Sequence, residues 1–266
     1  MKKVGLVFGG GGARCFAHLG ILQVLQEEGI PIDYILGCSM GSLIGALAAN
    51  GVPIDTIKRE FYRLPTRLKW FIPSGFSTLS QKAVRDILRS LLTVADVEAL
   101  PIRSAFLATN LTTGERLIID AGNIVDAVCA SCAHPVINKP LKRGDVYLSD
   151  GGILDCVPAD VCREVMGTDN LVVTCSLETT LNQDFQHVNK INSLFRSIYI
   201  PMLQARQSII HEHSDVIFEP MKDIPFDFSH WRHILNFDSI DLLEDAFERG
   251  RSEARAKLPE LQAMLV

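Results

Sequence analysis

Tyr34-Ile35-Leu36-Gly37-Cys38-Ser39-Met40-Gly41 joins a short apolar run to the alanine- and leucine-rich segment 43–49. The apolar run is typical of a buried strand, and the segment after it is typical of a helix. Between them, the pattern G-x-S-x-G indicates a serine on a tight strand-to-helix turn, with a helix N-terminus that favours developing negative charge. We therefore predict that Ser39 is a nucleophile and that Gly37 and Gly41 form its elbow.

Strand-like and helix-like segments alternate along the rest of the chain, and a hairpin turn is predicted at 112–115. The order predicts an α/β fold with a mostly parallel sheet between helices. No internal repeat, low-complexity tract or linker interrupts it, so we expect a single domain over residues 1–266. The predicted strands are 3–8, 34–37, 104–110, 116–119, 146–148, 170–175 and 216–218. The predicted helices are 17–28, 39–50, 54–62, 81–92, 124–132, 159–166, 191–210 and 239 to the end.

Composition excludes several classes of function. The net charge of −5 and the absence of a long basic block argue against a nucleic-acid partner. Seven cysteines, an odd number scattered through apolar segments, indicate reduced thiols. Cys129 and Cys132 have the spacing C-x-x-C, but the second pair that a structural zinc needs is missing. We expect no metal and no cofactor.

The first residues and the hydropathy pattern bear on localisation. The apolar run Val4 to Phe8 follows two lysines but ends after five residues in four glycines, which predicts a first strand rather than a signal peptide. No stretch of ~18 uninterrupted apolar residues is present. We expect a cytoplasmic enzyme.

Four glycines, residues 9–12, follow the first predicted strand and lead through Arg14 into a helix. Such a loop exposes backbone N–H groups that bind either phosphate or the oxyanion of an acyl-transfer intermediate. The dinucleotide pattern G-x-G-x-x-G cannot be completed, because Arg14 or Cys15 occupies its last position, and a Walker-A lysine is missing. Adjacent parallel strands would open this loop beside Ser39, which favours the oxyanion role. The alternative is that the glycines only permit a tight turn.

A serine nucleophile needs a base. Five histidines follow Ser39 at positions that a Ser-Asp-His order allows: His187, His211, His213, His230 and His233. That fold, however, usually places several strands before its serine, and here only one strand and helix come first.

Asp150 is the better candidate, because it ends a short strand and two glycines, Gly151 and Gly152, clear the space around it. A desolvated carboxylate within hydrogen-bond reach can take the serine proton directly. The alternative is that Asp-Gly-Gly forms an ordinary turn.

Taken together, the glycine loop with Arg14, the G-x-S-x-G pentapeptide, the segment 130–135 and Asp150-Gly151-Gly152 resemble the patatin-like phospholipases in order and approximate spacing. The resemblance covers about residues 3 to 176. It implies a three-layer α/β/α sandwich and hydrolysis of lipid acyl esters through an acyl-enzyme. It also implies a Ser39/Asp150 dyad without histidine and an oxyanion hole lined by Gly10, Gly11, Gly12 and Arg14.

Two residues depart from the family pattern. Cys15 stands where such proteins commonly carry glycine, which bears on the shape of the glycine loop. His134 occupies a position that is usually apolar, and we expect it to be packed or solvent-facing rather than part of a triad.

An enzyme that acts on a lipid or acyl-ester substrate has to reach it. Two segments have a composition that suits contact with lipid. The segment 59–76 interleaves cations with aromatic residues, which suits peripheral membrane contact, although its aromatics could equally pack on the core. The aromatic-rich segment 224–237 would flank an acyl groove or cover it. The members of the first set are Arg59, Phe61, Tyr62, Arg63, Arg67, Lys69, Trp70, Phe71 and Phe76.

The competing class is a catalytically silent protein that binds an acyl ligand or a protein partner on the same fold. Intact Ser39, Asp150 and glycine loops argue against it, because a pure binding protein has no chemical need for all three.

Overall fold

The computed structural model describes residues 2–63, 80–135, 138–181, 190–226, 237 and 239–265. The strands are β1 Val4–Phe8, β2 Tyr34–Cys38, β3 Arg103–Asn110, β4 Glu115–Ile119, β5 Leu141–Arg143, β6 Val146–Asp150, β7 Leu171–Cys175, β8 Thr180–Leu181, β9 Val216–Phe218 and β10 Pro225–Phe226. The helices are α1 Phe16–Glu27, α2 Met40–Ala49, α3 Ile54–Tyr62, α4 Gln81–Leu91, α5 Ile124–Ser131, α6 Ala159–Met166, α7 Lys190–His213 and α8 Ile240–Leu265.

The central sheet confirms the predicted α/β fold class. Its order is β5-β6-β3-β2-β1-β7-β9, and β4 also pairs with β3. The pairs in the middle of the sheet are parallel, whereas β4, β5 and β6 run antiparallel to their neighbours. The first and second strands lie side by side, which brings their carboxyl ends to the same edge.

Alternating side chains of the strands face two separate cores. In β1, Leu6 and Phe8 belong to a large cluster that includes residues of α1, α2, α5 and α8. Val7, between them, belongs to a second cluster with Val161 and Met166 of α6. Because successive side chains of a strand point to opposite faces, helices cover both sides of the sheet. The predicted three-layer α/β/α sandwich is confirmed.

One edge of β3 pairs with two different strands in succession. Residues 103–107 pair in parallel with β2, and residues 108–110 pair antiparallel with β6. Since β4 pairs with residues 106–110, it occupies the opposite edge, so β2 and β6 share one edge and meet end to end. This arrangement brings the end of β6, at Asp150, next to the end of β2, at Cys38.

The sequence pattern missed three short strands, β5, β8 and β10, and predicted the hairpin between β3 and β4 correctly. The segment Leu141-Lys142-Arg143 has no apolar alternation, and its pairing with β6 makes it a strand. Two or three residues are too few to carry a periodic signal.

Part of the predicted interfacial segment lies in the core instead. Phe61 is fully buried and packs edge-on against Phe16, with ring centroids 5.3 Å apart. Phe237, from the second aromatic segment, is also buried and stacks on Phe61 at 6.2 Å. Both rings pack as core residues, so neither provides the lipid contact that the pattern suggested. Residues 64–76 and 227–236 lie outside the described residues.

Across the described part of the chain, none of the helices combines the length and the apolar character that a membrane span requires.

Candidate active site

Ser39 lies at the turn between β2 and α2 in a strained backbone conformation. Its φ of 51° and ψ of −127° make it the only residue other than glycine with positive φ in the described ranges. The conformation is possible because both flanking glycines lie against neighbouring backbone. A Cβ on Gly37 would lie 2.5 Å from Cα of Ser42, and a Cβ on Gly41 would overlap the carbonyl oxygens of Phe8 and Gly9. Ser39 remains partly exposed at the N-terminus of α2.

The buried hydroxyl of Ser131, at the end of α5, holds this turn in place. It donates to the carbonyl of Leu107 at 2.5 Å and accepts from the backbone N–H of Ser39 at 2.9 Å. Because its single proton goes to Leu107, Ser42 is the donor in the 2.7 Å contact between Ser42 Oγ and Ser131 Oγ. The Cys132 thiol also donates to the Ser39 carbonyl at 3.0 Å. The sequence pattern drew attention to the segment 130–135 but gave no sign of these contacts.

Asp150 is brought directly to the serine. Ser39 Oγ donates to Asp150 Oδ2 at 2.6 Å, and the N–H of Gly152 donates to Oδ1 at 2.8 Å. Asp150 is 3% exposed. The carboxylate therefore has one oxygen fixed by its own turn and the other aimed at the serine hydroxyl.

Burial raises the pKa of Asp150 above its ordinary value of 3.8. The hydrogen bond from Ser39, the charge of His134, the Gly152 N–H and the charge of Arg206 each favour the ionised form and oppose that rise. A carboxyl group with a raised pKa is a stronger base once it is ionised, which suits proton transfer from a serine.

The glycine loop passes beside Ser39, as expected from the pairing of β1 with β2. The Gly10 N–H donates to the Cys156 carbonyl at 3.0 Å, so this amide shapes the loop. A Cβ on Gly10 would lie 3.1 Å from Cβ of Ser39, which shows how closely the two approach. Gly11 and Gly12 are partly exposed, and Arg14 donates through Nε to the Gly11 carbonyl at 3.3 Å.

His18 on α1 anchors the start of the loop. Its Nε2 lies 2.7 Å from the Gly9 carbonyl oxygen and must carry the proton, because a carbonyl only accepts. Nδ1 is buried and has no hydrogen-bond partner among the residues that the structure describes. Burial lowers the pKa of His18 to about 4, so the ring is neutral at pH 7.

Arg206 of α7 clamps the turn that follows Asp150. The side chain is buried and donates to the Gly152 carbonyl at 2.6 Å and to Glu178 at 3.0 Å. Since Gly152 itself donates to Asp150, Arg206 acts on the carboxylate through this residue. No pattern in the sequence identified Arg206, because this residue lies 54 positions beyond Gly152, the residue that it holds.

The remaining predicted residues have other positions. His134 is partly buried, and burial lowers its pKa, although the negative charge of Asp150 opposes that effect. Cys15 is fully buried and ends the short 3-10 helix Gly12–Cys15. His211 and His213 lie in the last turn of α7. His187, His230 and His233 lie outside the described residues.

Comparison with proteins of known structure supports the fold. The chain resembles VipD from Legionella pneumophila with a TM-score of 0.52 and 16% identity, covering 97% of this chain and 67% of that one. It resembles the human GIVD cytosolic phospholipase A2, solved with a fluorophosphonate inhibitor, with a TM-score of 0.50 and 12% identity, covering 99% and 59%. At these identities the likeness concerns the fold alone.

Proteins that match the chain by sequence share a higher identity with it than these two structures do. An uncharacterized NTE family protein of Mycobacterium tuberculosis is 34% identical over 160 residues, which are 59% of this chain and 44% of that protein. Lysophospholipase NTE1 of Saccharomyces cerevisiae is 33% identical over 172 residues, 61% of this chain and 10% of that protein. These matches span less than half the length of either relative.

A family model gives the assignment. The model described as patatin-like phospholipase matches residues 6–163, which include the glycine loop, Ser39 and Asp150. The match extends over more than half of the chain. The chain therefore belongs to the patatin-like phospholipase family.

Proposed function

We propose that this chain is a serine lipid acyl hydrolase that cleaves carboxylic esters through an acyl-enzyme on Ser39, with Asp150 as the base. The observation that carries the proposal is the 2.6 Å hydrogen bond from Ser39 Oγ to the buried Asp150 carboxylate, formed at a strained strand-to-helix turn. Strain at a non-glycine residue persists only where the surrounding structure enforces it, and such residues cluster at active sites.

In the acylation step, Asp150 takes the proton of Ser39 as Oγ attacks the ester carbonyl carbon, and the carbonyl oxygen becomes an oxyanion. The N–H groups of Gly11 and Gly12, at the edge of the loop beside Ser39, are the donors that we assign to it. Gly10 lets the loop pass close to Ser39, and Arg14 holds Gly11 through a hydrogen bond to its carbonyl. When the tetrahedral intermediate collapses, the C–O bond to the alcohol breaks and Asp150 returns the proton to the leaving alkoxide.

Deacylation repeats these steps with water. Asp150 takes a proton from water, the hydroxide oxygen attacks the acyl carbon, and Ser39 leaves with the proton that Asp150 returns. The products are a free fatty acid and the unmodified enzyme. The raised pKa of Asp150 assists the two steps in which the carboxylate takes a proton, from Ser39 and from water, because it makes the carboxylate a stronger base than an exposed aspartate.

Family membership and the lysophospholipase among the sequence relatives support an acyl lipid as the substrate. The fluorophosphonate complex of the human fold neighbour suggests the chemical probe. Such a probe phosphonylates an activated serine, so labelling reports the nucleophile independently of lipid preference.

The experiment compares labelling and fatty-acid release from a lipid panel in four proteins. Wild type and S90A, which removes a hydroxyl on the surface of α4, are expected to be labelled and active. S39A should show neither, and D150N should lose most of both. No labelling of folded wild type would favour the catalytically silent binding protein. Full turnover by D150N would point to a histidine base.

A further inference from the structure

We infer that two adjacent hairpin tips form a surface that docks the protein on an anionic phospholipid membrane, with the carboxyl edge of the sheet facing the lipid. The tip surface consists of Leu111, Lys142, Arg143 and Tyr147. The choice of a membrane as occupant rests on the proposed function, whereas the surface itself is defined by position, exposure and charge.

Position is the first argument. The end of β3 extends past the end of β2. The hairpin of β5 and β6 does so too, because β6 pairs only with residues 108–110 of β3. Leu111 is three residues beyond Ala108, the partner of Asp150. At ~3.3 Å per residue, it stands about 10 Å beyond the level of the catalytic pair on the same edge of the sheet. A flat surface that touches these tips therefore faces the site.

Exposed apolar side chains are the second argument. Leu111 is 45% and Tyr147 is 49% exposed, and the Leu111 N–H donates to the Tyr147 carbonyl at 2.8 Å, so the two are neighbours. Leu154, which is 43% exposed, follows the turn that holds Asp150. Among the described residues only five large hydrophobic side chains are at least 36% exposed, and three of them follow or adjoin the carboxyl edge. An aromatic ring with a polar hydroxyl is typical of the lipid–water boundary.

Charge is the third argument. Lys142 lies across from Tyr147 in the hairpin, with its Nζ 5.9 Å from the ring centroid, and Arg143 is next to it. Neither cation forms an ion pair within the described ranges. The nearby exposed acids are Asp145 in the turn and Glu115 at the start of β4. Within the hairpin segment 139–147, three exposed cations, Lys139, Lys142 and Arg143, stand against one acid, Asp145, and this local excess in a chain of net charge −5 fits an anionic surface.

A cavity next to the hairpin has the matching composition. It has a volume of about 310 Å³ and is lined by Arg85, Lys142 and Arg143 together with the aliphatic Leu141 and Leu148. Asp126 also lines the cavity and pairs with Arg85 at 3.0 Å, which leaves Lys142 and Arg143 as its unpaired cations among the described residues. Guanidinium and ammonium groups in one cavity with aliphatic side chains suit a phosphate head group and the beginning of its acyl chains.

The test measures sedimentation with vesicles of phosphatidylcholine alone and of phosphatidylcholine mixed with phosphatidylglycerol, at low and high salt. Two cations near an anionic surface contribute roughly thirtyfold in affinity, so K142S/R143S should lose about that factor on the mixed vesicles. L111S/Y147S should weaken binding to both vesicles by about tenfold or more. High salt should weaken wild type and have little effect on K142S/R143S.

Matched controls carry the same changes elsewhere. V165S/I240S alters the other two exposed aliphatic side chains, and K222S/R255S removes exposed cations from other faces. Both should bind vesicles as wild type does. All four variants should hydrolyse a soluble short-chain ester at the wild-type rate, because none of these residues lies in the catalytic machinery. That result separates docking from catalysis and from misfolding.

Several results would overturn the inference: failure of wild type to bind either vesicle, binding of K142S/R143S and L111S/Y147S equal to wild type, or equal losses in the controls. If the tip variants instead separated a wild-type dimer while vesicle binding persisted, the surface would be an interface between copies of the chain. S39A should bind vesicles normally, so failure of the proposed chemistry would leave vesicle binding intact and be recognised separately.

Discussion

Cys38 and Asp150 pair with consecutive residues of β3, Leu107 and Ala108. The strand that leads to Ser39 and the strand that ends at Asp150 therefore approach each other head-on along one edge. As a result, Ser39 Oγ and Asp150 Oδ2 lie 2.6 Å apart although 111 positions separate them in sequence. Because both are fixed by backbone pairing, the hydrogen bond does not depend on a flexible loop.

D150N is expected to lower turnover by about 10²–10⁴-fold and to stabilise the protein. The folded-state pKa of Asp150 is raised, so the folded protein binds more protons than the unfolded chain between the two pKa values, and stability falls as pH rises through the folded value. The amide in D150N has no charge to bury. Thermal unfolding at pH 7 should show a Tm higher by about 2–4 °C, and an unchanged or lower Tm would contradict this account.

The acid limb of the pH–rate profile for a soluble ester should have its midpoint above 3.8, the ordinary pKa of an aspartate, because Asp150 must be ionised to accept the serine proton. The charge of His134 lowers the pKa of Asp150, so H134Q should move the midpoint to higher pH while leaving the plateau rate near wild type. Loss of the plateau in H134Q would indicate that His134 takes part in proton transfer.

S131A should slow labelling of Ser39 by a fluorophosphonate by about tenfold or more and destabilise the protein by about 1–3 kcal/mol. The change leaves the Ser39 N–H and the Leu107 carbonyl without their partner in a buried region. S149A is the matched control, since the Ser149 hydroxyl is equally buried and donates to Ala133 at 2.6 Å. S149A should lower the stability of the protein by a similar amount, while the rate at which Ser39 is labelled stays close to that of wild type. Equal labelling rates in the two variants would contradict the support role of Ser131.

R206M should lower kcat for a soluble ester with little change in KM, because Arg206 holds the Asp150 turn through the Gly152 carbonyl. The variant should also lose about 3–5 kcal/mol of stability, since Glu178, whose side chain is only 12% exposed, is left without its cation. The double variant R206M/E178Q removes that charge and should recover much of the stability while kcat stays low. Recovery of kcat together with stability would show that Arg206 matters for folding only.

Periodicity in the sequence determined the type and place of most elements. The observed α3, α6 and β9 have the predicted bounds, and the remaining long helices and strands differ by a few residues at their ends. Local signals suffice there, because apolar spacing reports which face of an element is buried. The same signals left two positions open for Phe61, since an aromatic residue beside cations is equally compatible with a lipid surface and with a core, and its full burial decides for the core.

The sequence alone also pointed to Ser39 and Asp150, the residues that we propose for catalysis, because the glycines beside them mark places where a side chain would collide with backbone. Tertiary structure alone decided the rest. The Gly10 amide is engaged by Cys156, Ser131 and Cys132 bind the backbone of Ser39, and Arg206 reaches the Asp150 turn from α7. These contacts join residues far apart in the chain and leave no periodic trace, so they arise only when the sheet and its helices are assembled.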